Sequence, residues 1–527
     1  MVSDFNQLFD LKTLEIRGTK DTHLTLYFDE PISWIQHLSI ESVHLEAGES
    51  MRFRPNLEEI DPSQNFHYVP NCEKFEYNIS FEQPEELREP EIVPYEVYKM
   101  EKLTTELRLR TISFYGWDNL KVLRIKSCEM DEIYWEMFDG LLSLEHLALE
   151  SNGIREIPPF SFYGTPNIKT LSLANNEIFD LSYRSLAGLL ELQLLDISDN
   201  NLGKLSEQSF PPFPKLAIVD LRENPIKNLF PAIFGVMNKT EVLYVGANDV
   251  PLEFNTRKPF EHLKSLIYLE ISNLHVHKMD QNTFATLDRL EILKVRSGKI
   301  PLVEFDTFSK LLKLKELHLR HCNIEEISMD TFFGAQKLEI IDLSHNAIQE
   351  VPPGLFDDQH DLKEVHLNDN QLTTLPSDIF KLNSLKLIQL LNNPWDCTCD
   401  MKFWRQSLTN KFRTSKCTNR NCDANNYAFD HKLSPKCKTP DSVEGKSVFY
   451  ALRRFLNCAA LKVQSVTESP QKKLAIKQKY EKHIRDEKKK SYKNTLHYQF
   501  FQRRNYENLQ TSNFHSIDKN EMSNDLS

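Results

Sequence analysis

A 24-residue rhythm that runs from Leu120 to Pro394 constrains the fold more than any other feature of this chain. Segments opening at Leu120, Leu144, Ile168, Leu192, Leu216, Thr240, Leu266, Leu290, Leu314, Leu338, Leu362 and Leu385 share one frame, L-x-x-L-x-L-x-x-N-x-L. The step is 24 residues throughout, apart from 26 after Thr240 and 23 after Leu362. A second register stands eighteen residues after the openings: Phe138, Phe162, Phe210, Phe234, Phe284, Phe308, Phe332, Phe356 and Phe380, with Leu186 in one repeat and Phe260 displaced by the insertion. Agreement of two registers over about 275 residues excludes an accident of Leu-rich composition. No single repeat can bury its own apolar edge, so such a chain must stack its repeats into one continuous core.

Within each frame an alternation such as Leu147-Ala148-Leu149 predicts a short strand with one side inward and the other outward. Asn152, Asn176, Asn200, Asn224, Asn248, Asn346, Asn370 and Asn393 then predict turns in which side-chain amides bond backbone groups that a buried bend would orphan. Cys128 and Cys322 stand at the same position and read as buried thiols. The phenylalanines are expected beneath the opposite, convex wall. These residues resemble the leucine-rich repeat family in the 24-residue form typical of extracellular and receptor ectodomains. The resemblance implies an α/β solenoid, a horseshoe with a parallel sheet along its concave side, and a role in protein recognition similar to that of Toll-type and Slit-type ectodomains.

Six of the nine cysteines crowd between Cys397 and Cys458. Asn393-Pro394-Trp395-Asp396-Cys397-Thr398-Cys399, followed by Trp404, Cys437-Lys438-Thr439-Pro440, Gly445 and Cys458, resembles the cysteine-rich C-terminal cap of extracellular leucine-rich repeat proteins. That resemblance implies bridges from Cys397 to Cys437 and from Cys399 to Cys458, and leaves Cys417 and Cys422 as a further pair. A cap covers the apolar edge of the last repeat, and a small module with little core of its own needs such staples. Clustered cysteines also coordinate zinc, but the C-x-C spacing and the cap context favour disulfides over a C-x-x-C knuckle. Disulfides imply an oxidising compartment. Cys72 has no evident partner in the sequence.

Five regions follow: degenerate N-terminal repeats over 1–56, an acidic, Pro-containing insert over 57–103, the repeat array over 104–394, the cap over 395–460 and a basic tail over 461–527. Leu11, Leu14 and Ile16, then Ile35, Leu38 and Ile40, repeat the frame 24 residues apart, and a degenerate copy stands at Leu107 and Leu109. Leu57 to Glu101 holds 12 acidic residues, 3 basic ones and five prolines, which suits a solvated excursion or an acidic docking arm. Nothing before Leu11 resembles a secretory signal, in conflict with the disulfide-rich C-terminus. The expectation is an N-terminally truncated sequence of a secreted or extracellular protein, with a cytoplasmic one as the alternative. Asn78 and Asn238 head N-glycosylation triplets compatible with secretion.

Function is expected on the concave sheet, where outward positions of neighbouring repeats stack about 4.8 Å apart. Asp196, Asp199, Asp220, Glu223, Tyr244 and Glu270 form an expected acidic zone, followed by a basic, histidine-rich zone of Lys294, Arg296, His318, Arg320, His321, His345 and His366, interleaved with Asp342 and Asp369. Such a face implies a protein ligand or receptor of complementary charge. A structural matrix or assembly protein, acting through a homodimer, is the alternative. No catalytic residue, cofactor or metal is assigned, since the chain has no Gly-rich phosphate loop or nucleophile elbow. A metal-dependent enzyme is the remote alternative, because His318, Asp342 and His366 fall in one column on successive strands. The net charge of −12 becomes −18 once the +6 tail is set aside, which argues against nucleic acid as a partner of the solenoid. The Lys-rich tail has no 20-residue apolar span and suits either solvated disorder or weak contact with anionic glycans or lipids.

Overall fold

The computed structural model describes residues 12–19, 23–26, 34–47, 112, 114, 116–134, 137–413, 427–456 and 458. Expectations on Leu11, the 57–103 insert, Cys72, Asn78, Leu107, Leu109, Cys417, Cys422 and the 461–527 tail fall outside these residues. Residues 1–456 form one compact unit and 457–527 a second, of which Cys458 alone is described.

The first unit is a solenoid whose successive turns each contribute a strand to one parallel sheet. The order follows the chain from Thr13–Arg17 through His37–Glu41, Val122–Lys126 and so on to Leu387–Gln389. Register is fixed by the frame: Leu293 aligns with Leu317, Leu317 with Ile341, and Ile341 with Val365. Each of these residues is fully buried, because the pleat sends alternate side chains into the core.

The asparagine turn is a ladder running between repeats. Asn224 donates through Nδ2 to the Ile197 carbonyl of the preceding turn at 2.8 Å, and its Oδ1 accepts from the Leu202 amide at 3.1 Å. Asn152, Asn176, Asn200, Asn346, Asn370 and Asn393 make the same donation to the turn before, so backbone groups that the bend would orphan are satisfied. Cys128 and Cys322 substitute with buried free thiols that point at the Lys126 and Arg320 carbonyls.

Asn248 departs from the expectation: it is exposed and donates to Glu223 at 2.7 Å. The reason lies in the next two turns, which carry Leu274 and Gly298 at the ladder position and have no amide to continue it. There the strands run on to eight residues, Tyr268–His275 and Ile292–Lys299, and the backbone bonds that asparagine would supply are made by the sheet itself. Gly298 is required for this: at φ +146° a Cβ would stand 2.2 Å from the Leu274 carbonyl oxygen.

The convex column of aromatics is longer than the sequence register predicts. Phe114 stacks on Phe138 at 6.3 Å, one step upstream, and Trp404 stacks on Phe380 at 5.6 Å, one step downstream. Trp404 therefore belongs to both the repeat period and the cap, where Trp395 meets it edge-on at 4.8 Å. Cys397 is bonded to Cys437, and Cys399 and Cys458 are each disulfide-bonded. Cystine sulfur is not free to hold zinc, so the metal alternative for these four is set aside.

At the N-terminal side, His37–Glu41 pairs directly with Val122–Lys126, Leu38 beside Leu123 and Ile40 beside Ile125. Their repeats open at Ile35 and Leu120, 85 residues apart, so 61 residues more than one turn needs are accommodated between adjacent strands. The distance from Ile35 to Phe114 carries the same excess over eighteen. The excess thus falls within a single turn, between its strand and its convex aromatic.

Candidate functional site

Three columns of side chains face outward on the concave sheet. The middle one contains Asp196, Asp220, Tyr244, Glu270, Lys294, His318, Asp342, His366 and Gln389, aligned rung by rung. Two residues earlier on each strand runs a column of Leu194, Ile218, Val242, Tyr268, Ile292, Glu316, Ile340, Glu364 and Leu387. Two residues later come Arg222, Arg296 and Arg320.

Arginines of the third column interrupt the expected acidic zone, Arg222 from within it on Asp220 and Arg296 from the basic zone on Glu270. Arg222 forks onto Asp220, with Nε 3.0 Å from Oδ1 and 3.1 Å from Oδ2, and lies 4.5 Å over the Tyr244 ring. Glu270, 2% exposed, receives the Tyr268 hydroxyl at 2.6 Å and faces the Arg296 Nε at 3.0 Å in an ion pair whose angles make no hydrogen bond. Burial, then the bond to Glu270, pushes the Tyr268 phenol well above its usual range and keeps it a donor. Tyr244 and Tyr268 pack at 5.2 Å, and the Lys294 ammonium sits 5.2 Å over Tyr268. The centre of the face is a set of tyrosines and cations built around two buried carboxylates, Asp220 and Glu270.

The four histidines divide between two environments. His318 lies between Glu316 at 3.3 Å and Asp342 at 3.6 Å. Burial opposes its protonation, but the carboxylates of Asp342 and Glu316 beside it outweigh burial and raise its pKa. His366 is consumed within the fold, between Glu364 at 3.3 Å and Gln389 at 3.0 Å. His321 and His345 stand apart, at turn positions with positive φ, and stack at 4.2 Å, with His345 3.4 Å from Asp369. Burial, then the neighbouring His345 and Arg320, depresses the His321 pKa. Among the described residues no group of three His, Cys, Asp or Glu side chains could hold a metal ion, so sharing a column does not make a site of His318, Asp342 and His366.

Asp196 accepts from the Ser198 amide and hydroxyl at 3.0 and 2.7 Å, and Asp199 is exposed. Asn238 is exposed in the turn between Pro231–Gly235 and the strand Val242–Gly246, while Thr240 of its triplet is buried and bonded to the Met237 carbonyl. The middle column alone missed Arg222, Tyr268, Glu316 and Glu364; stepping two residues either way along each strand finds them. Arg413 and Tyr427 had no such signal. They come from the cap, in the antiparallel pair Lys411–Arg413 and Tyr427–Phe429, and both reach Glu364, at 2.9 and 2.7 Å. Among the described residues no helix is long and apolar enough to cross a membrane.

A leucine rich repeat family model matches residues 143–202 and 312–364. No curated protein matches the chain. Among solved structures, it is similar to an internalin (inlF) from Listeria monocytogenes, at 21% identity and TM-score 0.44 over 53% of this chain and 76% of that one. A leucine-rich repeat protein of Leptospira interrogans matches at 24% identity and TM-score 0.46, over 53% of this chain and 69% of that one. TLR13, in its complex with ssRNA13, matches at 22% identity and TM-score 0.42, over 55% of this chain and 49% of that one.

Proposed function

Because this chain is a leucine-rich repeat protein, we propose that it is a recognition module that binds a protein ligand or co-receptor on its concave face. The observation that carries this reading is the Tyr244–Tyr268 pair framed by Arg222, Lys294 and Arg296. Tyrosine and arginine dominate the energetics of protein interfaces, and here they are held in place by neighbours before any ligand arrives. Asp196, Asp199, Glu223, His318, Arg320, His321 and His345 surround this centre as a polar rim that selects and orients the partner. Disulfide-bonded Cys397, Cys437, Cys399 and Cys458 favour an extracellular setting, with an immune, adhesion or signalling role, and exposed Asn238 is accessible to a glycan.

A second reading, assembly by self-association, is favoured by exposed apolar residues outside the concave face. Leu142, Phe160, Tyr163, Tyr183 and Leu190 are about half exposed or more on neighbouring turns. One experiment separates the two. The whole chain is screened against a panel of extracellular proteins and its own mass is followed by sedimentation, alongside a Tyr244→Ala/Lys294→Ala variant and a Tyr163→Ser/Leu190→Ser variant. Recognition requires a partner lost in the first variant and kept in the second. A native oligomer that only the second variant dissociates, with no partner sensitive to the first, supports assembly instead.

A further inference from the structure

At one end the concave face is already covered, by the protein's own chain. In the column that starts at Leu194, members up to Glu316 are partly exposed, whereas Ile340, Glu364 and Leu387 are 7, 3 and 1% exposed. Ile340 and Leu387 are buried yet stand outside the main core, so something on the concave side covers them. That cover includes the cap pair Lys411–Arg413 and Tyr427–Phe429, which packs against the strand of Leu387 as the cap helix Gln406–Thr409 also does, and which sends Arg413 and Tyr427 to Glu364. Arg413 lies opposite Tyr427 and Lys411 opposite Phe429, and alternation along a strand puts these four on one side. That side thus carries cations on one strand and aromatic rings on the other, and its Arg413–Tyr427 pair meets the sheet at Glu364, whereas Phe429 stays 48% exposed.

The same column continues uncovered through Leu194, Ile218 and Val242. Beside it Asp196, Asp199 and Glu223 have no cationic partner among the described residues, whereas Asp220 and Glu270 do. We propose that this open stretch docks a β-hairpin of a protein partner whose sheet-facing side pairs basic residues on one strand with aromatic residues on the other, extending the interface the cap already makes. The proposal rests on the concave face being the binding surface and adds the shape and charge of what it binds. Apolar contact with Leu194, Ile218 and Val242 holds the hairpin, and its cations meet the three carboxylates that have no cation of their own among the described residues, as Arg413 meets Glu364.

The test uses the full chain and three head-to-tail cyclised hairpin peptides, whose probed side pairs Arg with Tyr, Glu with Tyr, or Arg with Ser across the two strands. Binding is read by fluorescence anisotropy. The Arg/Tyr peptide is expected to bind, and the other two to bind at least about tenfold more weakly. Ile218→Ser/Val242→Ser should weaken the Arg/Tyr peptide by a similar factor, and the exposed-site variant Asp199→Lys supplies the same comparison if the double variant fails to fold. Tighter binding of the Glu/Tyr peptide, loss of which follows Arg296→Glu, would overturn the hairpin chemistry while leaving the concave face as the binding surface. Absence of binding by all three, or binding indifferent to both sets of variants, overturns the proposal as well.

Discussion

The 24-residue period places like residues in like positions, yet what each side chain does depends on its neighbours two rungs away. Asn224 is the plain case. It is fully buried and its amide serves both its own turn and the one before, so Asn224→Ala leaves buried backbone groups unpaired and is expected to cost about 1–3 kcal/mol in a urea titration. The same substitution at exposed Asn248 should be close to neutral, which tests the correction made at that position. His318 gives a pH signature. Its pKa is raised in the fold, so the stability it contributes is complete below about pH 6.5 and fades as pH rises through the folded value. His318→Gln should therefore lower the melting midpoint more at mildly acidic than at alkaline pH, and a pH-independent difference would count against the Glu316–His318–Asp342 arrangement. Single residues were legible in the sequence as inward or outward, because alternation decides that. Their partners were not, since Arg222 and Glu270 meet across two rungs and nothing in either frame marks the pairing.

Strands, turns and the cap were legible to the extent that they obey the period. Leu317 is an inward strand residue by frame and by burial, and Leu317→Ala should cost about 2–5 kcal/mol through the cavity it leaves. Gly298 marks where the frame fails. Gly298→Ala puts a Cβ against the Leu274 carbonyl in a backbone region closed to L residues, so it should destabilise by about 1–3 kcal/mol although it adds a single methyl. A thermal shift near zero would mean that the long central strands give way locally. In the cap, the cysteine spacing was readable by resemblance, but the contact of its strand pair with the concave sheet was not, because nothing in the repeat frame marks Arg413 or Tyr427 as partners of Glu364. Cys397→Ser/Cys437→Ser should cost about 2–5 kcal/mol, and peptide mapping of the unreduced protein should recover Cys399 and Cys458 in disulfides.

Over the whole first unit, the chain behaves as a one-dimensional stack in which each turn depends on the next. The excess of 61 residues was legible as a composition break, but its position inside one turn came only from the pairing of His37–Glu41 with Val122–Lys126. Since loop closure costs grow slowly with length, replacing residues 48–110 by a short linker should leave the unfolding midpoint of the array close to that of the native chain. A large loss would assign those residues a part in holding the stack. The same adjacency has a topological meaning. Ile35, Leu38, Ile40 and Val43 are buried against the turn that follows, and their attachment to it does not rely on the peptide bonds that run between. A single cut anywhere from 48 to 110 would turn one polypeptide into two, but the product would be a nicked heterodimer held by the sheet and the core, with both pieces migrating together until denaturant parts them.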